Sequence, residues 1–329
     1  MSANKGTKTT LKFNPFQMGV YFVFIALVVI VAIGSGGTFL RIQNITNVLR
    51  QTVWVGIMTF GACFVFSLGG IDLSVGSTYG AVGLAVSFLI LGGMPPVIAI
   101  IIGIALGAVI GLLNGFLVYK VNIVPFIATM AVMTVTRGLM EVATKGVPIS
   151  GVNQFTMRLL GQGYLFGIPI PVIIAVIVFL VLYYVLNNTR FGRYCLSIGS
   201  NEEAARLVGI NVSKYGILAY MLTGITCAIA GVLVTGRLEG AMPTAGEGYE
   251  LDVIAAAVIG GTSLNGGKAS MPGCLLGALL MAVVRNGMNL MHIDTYWHDV
   301  VMGIIIVVAV IVDELGTKYS KKISEAKLA

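Results

Sequence analysis

Apolar stretches of near-membrane length alternate with short polar ones along almost the whole chain. About 20 apolar residues carry a helix across hydrocarbon. Ten stretches approach that length: 16–34, 51–68, 73–91, 96–118, 123–143, 169–187, 214–236, 250–264, 271–291 and 298–315. The eighth is short and runs into Gly260-Gly261, so it reads as a broken or partly re-entrant helix held by its neighbours. The pattern predicts an all-α, polytopic membrane protein with about ten transmembrane helices. The transmembrane domain covers 16–315, between a 1–15 tail and a 316–329 tail, and a polar loop over 188–213 interrupts it.

Composition narrows the class. Hydrophobic residues are 57% of the chain and charged residues 10%, against about 25% charged in soluble domains. The 43 glycines suit helices whose backbones approach closely. The net charge of +7 does not indicate nucleic acid, because the basic residues are scattered at helix ends and tails. Cys63, Cys195, Cys227 and Cys274 have no metal-type spacing and read as small buried apolar groups. Lys5, Lys8 and Lys12 precede an apolar run too long for a signal peptide, so the first helix is retained.

The positive-inside rule gives the orientation. Lys5, Lys8 and Lys12 place the N-terminus in the cytoplasm. Ten crossings return the C-terminus, with Lys318, Lys321, Lys322 and Lys327, to the same side. Arg190, Arg193, Arg206 and Lys214 of the polar loop also fall inside, while Arg41, Lys145, Arg158 and Arg237 fall outside.

A weak internal repeat is visible. Asp72-Leu73-Ser74-Val75 resembles Glu250-Leu251-Asp252-Val253, and Asn114-Gly115 resembles Asn286-Gly287. Five helices between the copies would invert one half relative to the other, an architecture that puts a path near the repeat interface.

The loop from Arg190 to Val212 is a polar island. Ser200-Asn201-Glu202-Glu203 has the spacing of a capping box, with Ser200 as N-cap. Ala204, Ala205, Arg206 and Leu207 favour helix, and Gly209 suits its C′ position. The product is about two turns, too short to stand alone in water. It packs either on its own membrane domain as a linker or in a cleft of a cytoplasmic partner.

Other constellations carry less. Gly260-Gly261-Thr262-Ser263-Leu264-Asn265-Gly266-Gly267-Lys268 fails the phosphate-loop pattern: Thr262 stands where its first Gly is needed, and Ala269 follows the lysine. It reads as a Gly-rich turn, and no enzymatic site converges elsewhere. His292 and His298 read as solvated loop residues. Asp72 can cap the third helix with its charge near the interface, or gate a path. Glu250 and Asp252 pose the same choice. With the repeat-matched positions they make a candidate path or gate of Asp72, Ser74, Tyr79, Asn114, Glu250, Asp252 and Asn286. Arg137 and Glu141 are spaced to pair along one helix face, and Arg285 can pair across a helix interface. Trp54, Tyr79, Tyr249 and Trp297 serve as interfacial anchors or as path lining.

Several motifs together resemble the membrane permeases of ribose-type ABC sugar importers. They are Gly69-Gly70-Ile71-Asp72-Leu73-Ser74-Val75-Gly76-Ser77, Pro125-Phe126-Ile127-Ala128-Thr129, Arg137-Gly138, Thr189-Arg190-Phe191-Gly192-Arg193, and Ile198-Gly199. Asn201-Glu202-Glu203-Ala204-Ala205-Arg206, Gly209-Ile210-Asn211-Val212, Gly248-Tyr249-Glu250-Leu251-Asp252 and Gly260-Gly261-Thr262-Ser263-Leu264 with Gly266-Gly267 complete the set. The resemblance spans residues 40–315. It implies a non-enzymatic permease subunit that pairs with a second permease subunit, more readily a homodimer than a heterodimer. It further implies a cytoplasmic tandem-domain ATPase holding ATP and Mg, an extracytoplasmic sugar-binding protein, surrounding membrane lipid, and no cofactor in this chain. The cargo would be a monosaccharide or small polyol. Ser200, Asn201, Glu202, Glu203, Ala204, Ala205, Arg206, Leu207 and Gly209 would form the coupling helix. The alternative is an ion-coupled secondary transporter working alone, against which stands the absence of a buried acidic cluster.

Overall fold

A computed structural model describes residues 15–294 and, beyond them, residues 297, 298, 300–305, 307, 308 and 311; side chains are described from residue 22. The 1–14 and 316–329 tails and eight of the 18 residues of the tenth expected span lie outside the described residues. The fold is all-α apart from two small two-residue strand pairs.

The chain begins with α1 (Pro15–Gly34), α2 (Ile42–Ser67), α3 (Val75–Leu91), α4 (Pro96–Tyr119) and α5 (Pro125–Thr144). Pro96 and Pro125 each stand at the start of a helix, where the missing N–H is not needed. A surface segment follows, with β1 (Ile149–Ser150), the short α6 (Phe155–Gln162), β2 (Tyr164–Leu165) and β3 (Ile168–Pro169). Then come α7 (Ile170–Asn188), the island helices α8 (Arg190–Ser200) and α9 (Glu202–Leu207), and α10 (Val212–Leu238). Next are β4 (Gly240–Ala241), α11 (Tyr249–Ile259) and α12 (Met271–Leu290), and the described residues from 297 to 311 are again helical. β1 pairs antiparallel with β4, tying the two halves together at one end. Beside it, Arg158 bonds Glu239 at 2.8 Å and holds that carboxyl below its usual range.

Among the described residues, six helices are long and apolar enough to cross a membrane: α2, α4, α5, α7, α10 and α12. The α3 helix and the described part of α1 are shorter apolar helices. The 11 residues of α11 span only ~16 Å, about half of a hydrocarbon core. The expected span over 250–264 is therefore a half-length helix ending in the Gly260-Gly261 turn. The expected span over 51–68 begins nine residues earlier, at Ile42, because Asn44 is buried and bonded to Asn286 in a reciprocal pair at 2.9 and 3.0 Å.

Helix contacts come in exchanged pairs. The α4–α10 contact answers α2–α12, α3–α10 answers α2–α11, and α3–α4 answers α11–α12. Glycine makes the central contacts possible. Gly107, Gly111 and Gly115 lie along one face of α4, and a Cβ on any of them would run into the backbone of α10 at Gly224, Tyr220 or Ile217. Without a side chain at these positions, backbone meets backbone. The largest buried side chains, Tyr220, Phe60, Phe64 and Phe66, fill the space beside α2 and α10. All four cysteines are buried and free, as expected of small apolar groups.

This packing sets a contrast between two glycines. Gly224→Leu would push into the α4 backbone and should cost about 1–3 kcal/mol or more. Gly138 on α5 has open space where its Cβ would sit, so Gly138→Ala should be neutral or stabilising, by up to about 1 kcal/mol. Thermal unfolding of the two variants in the same detergent checks the ranking.

Candidate functional site

Two regions answer to the candidate residues: a buried polar seam at the breaks before α3 and α11, and the exposed island of α8 and α9.

The chain between α2 and α3 leaves helical geometry inside an apolar body, so its backbone groups need partners. Side chains from two other helices supply them. The Tyr220 hydroxyl of α10 donates to the Ile71 carbonyl at 3.1 Å, and the Leu73 N–H donates to Thr129 Oγ1 of α5 at 3.1 Å. Asp72 accepts from the Ser74 N–H at 2.9 Å and the Ser74 hydroxyl at 2.7 Å, closing an Asx turn. Asn114 of α4 donates to Ser74 Oγ at 2.7 Å and approaches Asp72 at 3.4 Å. Asp72, Ser74 and Asn114 thus form one cluster. Asp72 is 2% exposed, and the capping reading is corrected in one respect: Ser74 rather than Asp72 holds the N-cap position.

The break before α11 is held differently. Arg137 of α5 donates to the Ala245 carbonyl at 2.7 Å, so it serves the backbone of the other half instead of pairing with Glu141. Arg285 of α12 does pair across a helix interface, with Asp252 at 2.6 Å. Glu250 Oε2 is buried without a hydrogen-bond partner among the described residues. Tyr79 and Tyr249 stand 5.5 Å apart, ring centre to ring centre, and bring α3 against α11. Asn286 is not part of this group, because Asn44 takes both of its amide hydrogen bonds. Trp54 is buried beneath the Arg237 guanidinium, 5.0 Å from ring centre to Cζ, while Trp297 is exposed.

The island is two helices, not one. The α8 helix starts at Arg190 with Thr189 as its N-cap, and its apolar side buries Gly192, Cys195 and Ile198. Burial pushes the Cys195 thiol up to about 12, which leaves it unreactive. The capping box is corrected: Ser200 is the last residue of α8, and its hydroxyl donates back to the Leu196 carbonyl. Asn201 caps α9, its Oδ1 accepting from the Ala204 N–H at 2.9 Å. Asn201 can do this because its own backbone is extended between the two helices. Glu202 pairs with Arg206 one turn on, at 2.6 Å. Gly209 takes positive φ at C′, as the sequence indicated, and the Ile210 N–H reaches back to the Ala205 carbonyl. Ala205 is buried against its own chain, so it anchors α9 and is not available to a partner. Residues 200–204 and 206–209 are exposed, with Leu207 at 84% and Val208 at 76%.

The end of α8 rests on two turns at once, the one between α2 and α3 and the one between α11 and α12. A Cβ on Gly199 would collide with the Ser67 carbonyl at the end of α2 and with the Gly267 N–H before α12. The Gly267 N–H itself donates to the Ser67 carbonyl at 2.9 Å, and Gly266 packs on Gly199 and Gly69. The Gly-rich stretch that mimics a phosphate loop is therefore a turn whose tip joins the α2–α3 turn and α8. Sequence reading missed this junction and the roles of Thr129, Tyr220 and Arg137. Only the density of glycine at 199, 266 and 267 signalled the close approach.

Comparison with known proteins places this geometry. The family model described as branched-chain amino acid transport system, permease component, matches residues 44–310. The chain is 45% identical over 298 residues to the ribose import permease of Bacillus subtilis, covering 90% of this chain and 92% of that one. It is 41% identical over 313 residues to the ribose import permease of Haemophilus influenzae, covering 92% and 97%. The D-allose transport system permease of Escherichia coli is 34% identical over 303 residues, covering 92% and 93%. No solved structure matches the chain. A membrane bundle whose α2–α3 and α11–α12 turns meet under one exposed helix, matched nearly end to end by these relatives, belongs to the ABC transporter permease family that includes the ribose import permeases.

Proposed function

We propose that this chain is the membrane permease of an ATP-driven importer carrying a monosaccharide across the bacterial inner membrane, with ribose the first cargo to test. The observation that carries the mechanism is the junction of Gly199, Ser67 and Gly267 beneath an exposed two-turn helix. Force applied to α9 reaches α8, and through it the turns that precede α3 and α12. The family membership sets aside the stand-alone ion-coupled reading.

The partners follow from that role. A second permease copy completes the path. A tandem-domain ATPase, which carries the ATP and Mg, receives the island within the loop 188–213, and an extracytoplasmic binding protein delivers the sugar. Ser200, Asn201, Glu202, Glu203, Ala204, Arg206, Leu207 and Gly209 face outward for docking. The exchanged helix contacts support an inverted repeat of α2–α4 by α10–α12. Counting α3 and α11 as broken crossings supports ten crossings, with the 1–15 and 316–329 tails in the cytoplasm. The two breaks then point from opposite sides toward the middle, and Asp72, Ser74, Tyr79, Asn114, Glu250 and Asp252 stand where helices must rearrange between inward and outward access.

Docking is tested by co-purification with a tandem-domain ATPase encoded beside this chain. Leu207→Asp with Val208→Asp should reduce ATPase recovery at least tenfold while the chain keeps its elution profile and unfolding temperature. Recovery equal to wild type would make the island a linker. A second variant, Gly199→Ala, separates docking from transmission. It should keep the ATPase bound yet lower sugar uptake per ATP hydrolysed by about tenfold, measured in vesicles containing the assembled importer. An unchanged ratio would remove the junction from the mechanism.

A further inference from the structure

A cavity of about 190 Å³ lies between α2, α11, α12 and the segment carrying His298, lined by Gln51, Trp54, Tyr249, Arg285, Asn289 and His298 among others. It sits away from the coupling end. Trp54 is 13 residues before Ser67 along α2 (67 − 54), which at the rise of a helix is ~20 Å from the junction. None of the polar members Gln51, Asn289 or His298 belongs to the seam before α3.

The lining is mixed in a particular way. Trp54 and Tyr249 are the two aromatics. Gln51 and Asn289 contribute two amides, each with donor and acceptor. Two polar atoms here are buried without a hydrogen-bond partner among the described residues, Arg285 Nε and His298 Nε2. His298 is 8% exposed, so its imidazole is held in a place where an unmet nitrogen is costly. Fixed partners hold the wall behind them. Asp252 pairs with Arg285 at 2.6 Å, the Arg285 guanidinium lies 5.7 Å from the Tyr249 ring, and Arg237 covers Trp54. At ~30 Å³ per water the cavity holds about six waters. It falls below the ~300–1,000 Å³ of pockets for drug-sized ligands.

A solute that fits must be small, uncharged and rich in hydroxyls. Hydroxyls both donate and accept, so they satisfy amides, a guanidinium N–H and an imidazole nitrogen together. The C–H faces of a sugar ring can lie against an aromatic plane. A carboxylate would also suit Arg285, but Asp252 already neutralises it. An apolar molecule would leave His298 Nε2 and Arg285 Nε unmet.

We propose that this cavity is a low-affinity monosaccharide subsite, where cargo rests between the binding protein and the seam at the helix breaks. It rests on the importer reading above and adds the place and the contacts. Affinity is weak because a stopping point on a path must release what it holds, so a dissociation constant of ~1 mM or weaker is expected.

The chain has two tryptophans, Trp54 and Trp297. Trp297→Phe leaves Trp54 as the only emitter. D-ribose titrated into this purified variant in detergent should shift Trp54 emission with a saturable, millimolar curve, and sucrose should give none. Asn289→Leu and His298→Phe, each in the Trp297→Phe background, should weaken the response at least tenfold while leaving the unfolding temperature and ATPase recovery unchanged. A linear or absent response to ribose overturns the subsite, as does an equal response to sucrose or full saturation in both lining variants. Uptake by the assembled wild-type importer separates the two readings. Ribose uptake with a silent Trp54 rejects the subsite and keeps the importer. Loss of both rejects the subsite together with ribose as cargo. A saturable Trp54 response without uptake keeps the subsite and rejects ribose import.

Discussion

Hydrocarbon offers no hydrogen bonds, and that constraint shapes everything unusual in this molecule. A continuous helix meets it alone. Here the chain stops being helical before α3 and again before α11, and every freed peptide group within the body calls for a side chain from elsewhere. Tyr220, Thr129 and Arg137 answer from α10 and α5. These bonds run between helices far apart in sequence, so the breaks also lock the bundle's tertiary order. The glycines that let α4 press on α10 follow from the same need, because Tyr220 reaches Ile71 only if its helix lies close.

Much of the architecture was legible from hydrophobic pattern alone, since membrane helices must be apolar along their length. The bounds of α4, α5, α7, α10 and α12 fall within two residues of the apolar runs. Where a polar residue joined a helix, the pattern failed: α2 starts at Ile42 because Asn44 is met by Asn286, a partner 242 positions away. The island misled for a local reason. Ser200 and Asn201 both suit an N-cap, and the choice depends on where α8 ends, which its burial on the membrane domain decides. The residues of the seam could be named as acids in apolar runs, but not grouped. Asp72 joins Ser74 and Asn114, whereas Asn286, matched to Asn114 by the repeat, faces Asn44 and leaves Arg285 to reach Asp252.

That difference separates the halves chemically while their packing stays alike. The first break is sealed by neutral groups around one carboxylate. The second is sealed by an ion pair and a cation held over a carbonyl. Opening the two therefore breaks different bonds, with different desolvation costs, although one backbone junction ties the turn before α3 to the turn after α11.

The tip of α9 carries a further meaning. Leu207 and Val208 are almost bare on a polar loop, as costly in water as any apolar pair of that size. A cell that makes more of this chain than of whatever covers that tip displays an uncovered hydrophobic flag on every surplus copy. An uncovered apolar pair of this kind is also a surface through which surplus copies can stick to one another.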